Sequence, residues 1–227
     1  MYRNFILFVI IIIVVACTKK DAVNVDISDI EAVVNVKRFE QDFYSADSSE
    51  LPELKQKYPL LFPANTPDSI WISKMNDADE QELFREVNTR YVDFRKQSAQ
   101  LAELFKHIKY YYPGFEEPTV YTVMSNVDYQ NSVIYADSLL FISLDVFLGK
   151  DKKVYQDFPE YIKQSFTKDH LIVAVAKSLA EREVPRTKDR TFVSRMIQRG
   201  KLYYLIDAFL PKVKDHYKIG YTQEQLD

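Results

Sequence analysis

Residues 119–144 read TVYTVMSNVDYQNSVIYADSLLFISL and contain three segments rich in β-branched and aromatic residues. Such segments favour β-strands, which we place at 119–124, 132–136 and 139–144. The last two flank Asp137 and Ser138, and a two-residue spacing is typical of a tight hairpin. A polar turn without glycine is a weaker hairpin signal. The stretch predicts a small antiparallel sheet.

Helical patterns surround this sheet. From Phe94 to Tyr112, apolar residues recur at three- and four-residue spacing, and the pattern stops before Pro113. Two later helices are predicted at 169–183 and 190–210, each followed by a proline. A first strand is predicted near 36–40. The fold class predicted from these patterns is α+β, mostly α-helical with a small antiparallel β-sheet.

Composition limits the classes of function. The 227 residues carry 30 Lys and Arg against 33 Asp and Glu, a net charge of −3, with no long block of one sign. Nucleic-acid binders usually carry a basic excess, so no nucleic-acid partner is expected. Hydrophobic residues make up 47% of the chain and there are only four glycines, which predicts an ordered domain.

The amino terminus is typical of a bacterial lipoprotein signal. Arg3 precedes an apolar run from Phe5 to Val15, and the run leads into Cys17, the only cysteine. The alternatives are a short transmembrane helix, for which the run is well below the roughly 20 residues required, and an ordinary secretory signal, which needs no cysteine. We predict a signal peptide at 1–16, a tether at 17–35 lipidated at Cys17, and a single α+β domain at 36–227.

No pattern of catalytic, cofactor-binding or metal-ligating residues stands out. His107, His170 and His216 lie far apart and lack the spacing of zinc ligands. Once Cys17 is acylated, no thiol is left for a disulfide or a metal. We therefore predict no cofactor and no metal.

Acidic residues do cluster around the hairpin and beyond it. Paired carboxylates can hydrolyse sugars or bind calcium, but aspartate is also common in turns for local hydrogen bonding. Both interpretations stay open for Asp128, Asp137, Asp145, Asp151, Asp157 and Glu160.

Three cations, Arg195, Arg199 and Lys201, follow one another at helical spacing in the last long helix. One interpretation is a solvated helix face. The other is an interaction surface for lipid phosphates or an acidic partner, close to the membrane that the anchor would enter.

Many segments, in order and from nearly end to end, resemble the gliding-motility lipoprotein GldB family of Bacteroidetes-type bacteria. They are KQKYPLLFP (55–63), TPDSIW (66–71), FKHIKYYYP (105–113), IYADSLL (134–140), LDVFLGKD (144–151), FPEYI (158–162), DRTF (189–192), GKLYY (200–204) and IGYT (219–222).

The resemblance implies a lipid-anchored cell-envelope protein of the gliding motility and type IX secretion machinery, without implying enzymatic activity. Thr18 follows Cys17 and no acidic run follows it. These features favour a periplasm-facing position at the outer membrane, with the cytoplasmic membrane as the alternative. Family members usually continue past Gly220-Tyr221, so the chain is expected to be truncated at its C-terminus.

The family is also distantly similar to zinc peptidases of the zincin type, in which a hairpin precedes a helix bearing His-Glu-x-x-His. The corresponding positions, assigned to Ala176, Lys177 and Ala180, supply neither imidazole ligands nor a base. The resemblance therefore implies a degenerate zincin-like architecture used for binding protein partners. The alternatives are an envelope hydrolase, either peptidase-like or glycan-acting, and a lipid- or glycan-binding module.

Overall fold

The computed structural model describes residues 25–226. The predicted signal peptide, the predicted acylation site Cys17 and the first part of the predicted tether lie outside the described residues. Within 25–226, no helix combines the length and apolarity needed to cross a bilayer.

Four strands of the described chain form one sheet in the order β1-β2-β4-β3. They are β1 (Val36–Arg38), β2 (Thr119–Val123), β3 (Val133–Ala136) and β4 (Leu139–Ser143). Strand β2 pairs in parallel with both β1 and β4, and only β3 pairs antiparallel with β4. The prediction of an antiparallel sheet was therefore wrong. A parallel pair needs a long crossover, which the helices between residues 38 and 119 supply.

The hairpin prediction is confirmed. Ala136 pairs with Leu139 across a two-residue turn, and Asp137 takes a left-handed conformation with φ 53°. Aspartate tolerates this conformation better than most residues because its short side chain can bond locally. Asp137 therefore takes the place of the glycine that the turn would normally favour.

Helices make up most of the remaining described chain. They are α1 (Phe39–Ser45), α2 (Leu51–Lys57), α3 (Asp68–Asn76), α4 (Ala78–Arg90), α5 (Arg95–Tyr111), α6 (Glu160–Lys163), α7 (Lys168–Glu183), α8 (Phe192–Phe209), α9 (Asp215–Ile219) and α10 (Gln223–Leu226). Short 3-10 helices lie at Ser48–Glu50, Pro59–Leu61, Tyr129–Asn131, Leu144–Val146 and Lys153–Tyr155. The α+β class is confirmed, and the three longest predicted helices end within two residues of their observed limits. The zincin-like architecture stays a prediction.

The sheet separates two hydrophobic clusters. Val120, Leu140 and Ile142 belong to the larger cluster, which includes α5, α7 and α8. Tyr121 and Phe141 contact the smaller cluster, formed around α1 to α4. Successive strand residues point to opposite faces, so the alternation in β2 and β4 places apolar side chains on both sides.

The last residues of the segment predicted as a tether lie along the domain. The backbone N–H of Val33 donates to Glu117 Oε1 at 3.3 Å, and Lys109 Nζ donates to the carbonyl of Glu31 at 3.2 Å. The carbonyl of Asn35 accepts from the backbone N–H of Val120 at 2.9 Å. These bonds fix where the chain enters the domain, beside the C-terminal end of α5.

A fully buried carboxylate, Asp145, holds the loop between β2 and β3. Its oxygens accept the backbone N–H of Ser125 at 3.1 Å and that of Val127 at 2.7 Å. Asn126 and Val127 have φ values of 55° and 60°, which is costly for a β-branched residue. Burial raises the pKa of Asp145, while the backbone donors oppose that shift.

We expect Asp145→Ala to lower the free energy of unfolding by about 3 kcal/mol, because two backbone N–H groups lose their acceptor inside the core. Asp145→Asn should cost less, since its amide oxygen can still accept one bond. Urea denaturation measures both changes. Asp151→Ala, at an exposed residue, is the control and should stay within about 0.5 kcal/mol. Equal stability of Asp145→Ala and Asp151→Ala would contradict this account of the loop.

Candidate interaction surface

The predicted surface residues Arg195, Arg199 and Lys201 are all exposed on α8, but they do not form one stripe. Arg195 and Arg199 line a cavity of about 440 Å³ together with Arg186. Lys201 lines a separate cavity of about 420 Å³, beside Tyr204. Each helical residue turns by about 100°, so Lys201 lies about 200° from Arg199. The cations therefore occupy two sides of the helix.

Between these two sides, α8 carries large apolar residues on its outward face. Their side chains are between 55% and 76% exposed, and their spacing places them on one face of the helix. We call this set the α8 outward face: Phe192, Val193, Met196, Ile197 and Tyr204. The opposite face of α8 packs into the core through Leu202, Ile206 and Phe209. The outward face is therefore not required to bury the helix, and contiguous exposed apolar residues commonly mark a contact surface.

The segment around the start of α8 is strongly basic. Residues 186–201 contain six cations and a single acid, Asp189, in a chain whose net charge is −3. Asp189 is engaged locally: it accepts the backbone N–H of Thr191 at 2.9 Å and the Thr191 hydroxyl at 2.8 Å. These bonds lower the pKa of Asp189. The Asp189 carboxylate thus stabilises the turn at the start of α8. It does not neutralise the cations beside the outward face, so the segment keeps an excess of positive charge.

An aromatic groove of about 740 Å³ lies at the hairpin end of the domain and is lined by Tyr112, Phe115, Tyr135 and Arg182, among others. The Arg182 guanidinium lies 5.1 Å from the centre of the Tyr135 ring. Tyr111 and Tyr112 pack against Phe209 with ring centres 6.4 and 6.1 Å apart. These tyrosines therefore contribute to packing at the end of α5 as well as to the groove.

A cleft of about 370 Å³ lies beside the edge strand β3 and is lined in part by α7 and α9; its lining includes His170, Ala174, Lys177 and Ser178. Ala176 and Ala180 are completely buried in the core instead. Of the three positions assigned to a degenerate peptidase motif, only Lys177 faces the cleft. Pairs of α7 residues four apart line the cleft, among them His170 with Ala174, Ala174 with Ser178, and Lys177 with Glu181. His170 is the one imidazole among the described lining residues, so they do not fit a zincin metal.

The acidic residues near the hairpin do not converge. Asp145 is buried against backbone donors, whereas Asp128 accepts the N–H groups of Gln130 and Asn131 at the start of a 3-10 helix. Asp137 is in the hairpin turn, with its side chain 96% exposed. Across residues 25–226, no group of three or more His, Cys, Asp or Glu could hold a metal ion. Asp145 and Asp128 therefore act as local hydrogen-bond acceptors.

The three histidines occupy separate environments. His107 is buried and hydrogen-bonds through Nδ1 to the carbonyl of Glu103 at 2.9 Å. In the cleft, His170 Nδ1 lies 2.7 Å from the Thr167 hydroxyl, and its ring packs edge-on against Tyr217. Burial lowers the pKa of His170 to about 4; the charge of Asp169 opposes this shift and that of His216 adds to it.

We expect His170 to make the protein less stable in acid. The unfolded chain binds the proton at the ordinary pKa of 6.5, and the folded chain only near 4. The contribution of neutral His170 to the free energy of unfolding is therefore complete above pH 6.5. It decreases by about 3 kcal/mol as the pH falls to 4. His170→Gln should remove this part of the loss, as measured by urea denaturation across that range. An unchanged pH dependence in the variant would contradict a buried, neutral His170.

Comparison with known protein families identifies the family of this chain. A family model described as gliding motility protein GldB matches residues 20–227. No curated protein and no solved structure matches the chain. Because the match covers nearly the whole sequence, the chain belongs to the GldB family of gliding motility proteins.

Proposed function

We propose that this gliding motility protein is a lipid-anchored component of the cell envelope that binds partners of the gliding and type IX secretion machinery and catalyses no reaction. The observation that carries the proposal is the α8 outward face, whose apolar residues are exposed next to an excess of cations. Such a surface commonly marks a docking site, and a domain docked beside its anchor is held at the membrane where the partners of the machinery assemble.

The proposed anchor is a lipid on Cys17, added after removal of residues 1–16. Two acyl chains give stable attachment where one chain gives only transient binding. The domain would then face the periplasm from the outer membrane, with the cytoplasmic membrane as the alternative. The hydrogen bonds of Glu31 and Val33 to the domain would leave only a short tether between Cys17 and the folded chain.

An envelope hydrolase is the second candidate, and the cleft beside β3, with His170, Lys177 and Glu181 in its lining, is the observation that favours it. Among the described residues, its lining offers a single imidazole, that of His170, beside small residues such as Ala174 and Ser178, and this supports a binding role instead. Turnover of a wall peptide or glycan that stops on adding a chelator would favour the hydrolase.

The test uses a gliding bacterium that lacks its own family member and in which the wild-type gene restores gliding. We expect the paired change Met196→Gln and Ile197→Gln to abolish most of this restored gliding. Both side chains are more than half exposed, so stability should change by no more than about 1 kcal/mol. The measurement is colony spreading, with protein level checked by immunoblot. Val92→Gln, at a 76% exposed residue on another surface, is the matched control. Full spreading with the paired variant would contradict a role for this face.

We also expect Cys17→Ser to reduce the recovery of motility and secretion components when the protein is purified from gently solubilised envelopes. Without acyl chains, the domain is no longer held at the membrane where such partners assemble. Mass spectrometry of the N-terminal peptide verifies acylation of the wild-type protein. Recovery of the same components with both forms would argue against the anchor as a requirement for binding.

A further inference from the structure

We propose that the α8 outward face docks on an anionic phospholipid surface, with the apolar residues entering the headgroup region and the flanking cations binding lipid phosphates. The inference rests on the proposed function in one respect, because it uses the lipid anchor to bring the domain to the bilayer. It goes further by naming the partner of α8.

The apolar residues have the arrangement of a helix that lies in a membrane interface. Phe192, Val193, Met196 and Ile197 occupy the first turns of α8, and Tyr204 continues the same face two turns later. An interfacial helix buries such a face shallowly, with aromatic and aliphatic residues inward and cations at its edges. Tyrosine suits this boundary because its ring is apolar and its hydroxyl is polar.

The cations provide charge complementarity on both edges of that face. On one side, Arg186, Arg195 and Arg199 line a single cavity in which Glu181 is the one lining carboxylate. Guanidinium groups bind phosphate oxygens through paired hydrogen bonds. On the other side, Lys201 lines a mainly apolar cavity with Val184, Pro185 and Glu183. The arginine side can thus receive a phosphate, and Lys201 adds a cation at the opposite edge of the apolar residues.

A second copy of this chain is a poorer occupant of the face. Two copies joined through α8 would bring two strongly basic 186–201 segments together, and like charges in contact are unfavourable. An anionic surface has the opposite charge and attracts cations near it.

The entry point of the chain is compatible with this orientation. Lys109, near the end of α5, binds the carbonyl of Glu31, and Tyr111 on the same turn packs against Phe209 of α8. The segment that leads to the anchor therefore meets the domain beside the C-terminal end of α8, five residues beyond Tyr204. Tethering raises the local concentration of lipid at α8, so a weak surface contact is sufficient.

The experiment uses the acylated full chain in vesicles. Acylation leaves Cys17 without a free thiol, so a cysteine introduced by Ile197→Cys can be labelled alone with a fluorophore that brightens in apolar surroundings. Val92→Cys, on another exposed surface, is the matched probe. Vesicles contain either phosphatidylcholine alone or phosphatidylethanolamine with phosphatidylglycerol. Acylation is verified by the mass of the N-terminal peptide before either probe is read.

We expect the Ile197 probe to brighten and shift to the blue in phosphatidylglycerol vesicles only, and the Val92 probe to stay unchanged. Replacing Arg195, Arg199 and Lys201 together by glutamine should lower the ratio of docked to undocked protein by about 100-fold. Replacing three exposed lysines elsewhere, Lys96, Lys150 and Lys153, is the charge-matched control and should leave that ratio almost unchanged.

Three results would overturn the inference: no response of the Ile197 probe, an equal response in phosphatidylcholine, or a response that grows with protein density and so reports a second copy. Crosslinking of Ile197 to an acidic protein in envelopes, without a response in vesicles, would assign the face to that protein instead. A chain that carries no lipid on Cys17 would contradict the proposed function, whereas an acylated chain with a silent probe contradicts only this inference.

Discussion

The carboxylate of Asp145 is the constraint on which the positions of the cleft and hairpin depend. It lies just after β4 and binds the backbone of the loop that leaves β2, so it joins the two central strands at one end of the sheet. The Tyr155 hydroxyl donates to the Asp145 carbonyl at 2.5 Å and accepts the N–H of Leu148 at 3.1 Å. A buried carboxylate without donors would be very unfavourable, and this requirement forces Asn126 and Val127 into their left-handed conformation. The course of the chain into β3, and hence the edge of the cleft, follows from that loop.

A second buried charge joins β1 and β2. Glu40 is fully buried, accepts from the Thr122 hydroxyl of β2, and pairs with Arg38 Nε at 2.6 Å. The same arginine donates to the carbonyl of Tyr91 at 3.1 Å, so β1, α1, β2 and the end of α4 meet at one polar point. Removing either partner of such a pair leaves an uncompensated charge inside the protein. The chain has a single cysteine, so no disulfide within it can fix the order of the strands. The buried polar contacts fix that order, because apolar packing alone would permit several arrangements.

Features encoded in local sequence could be predicted, and those that depend on distant contacts could not. The periodicity from Phe94 to Tyr112 predicted α5 correctly because one face of that helix is buried along its whole length. The two-residue spacing predicted the hairpin correctly. Strand direction was wrong because the types of residue in β2 and β4 carry no information about which neighbour pairs with them. The burial of Ala176 and Ala180 was likewise not predictable, because small residues suit both a tightly packed core and a cleft. The α8 outward face was missed because Met196 and Ile197 have the same spacing as core residues. The fold shows that they are exposed and that no element within residues 25–226 covers them.

Helix α8 therefore combines two roles that are separated along its length and around its circumference. Its second half is secured by Leu202, Ile206 and Phe209, which fixes the helix without any contribution from Phe192 or Ile197. Apolar residues at those outer positions add nothing to the burial that drives folding, and they favour aggregation unless neighbouring charges oppose it. The cations on both edges supply such charges, and they would repel a second copy while attracting an anionic surface. The α8 outward face is unfavourable in water, it is protected against self-association, and the core does not need it. A partner that is apolar and negatively charged at the same place best explains such a surface. An anionic lipid interface has this composition.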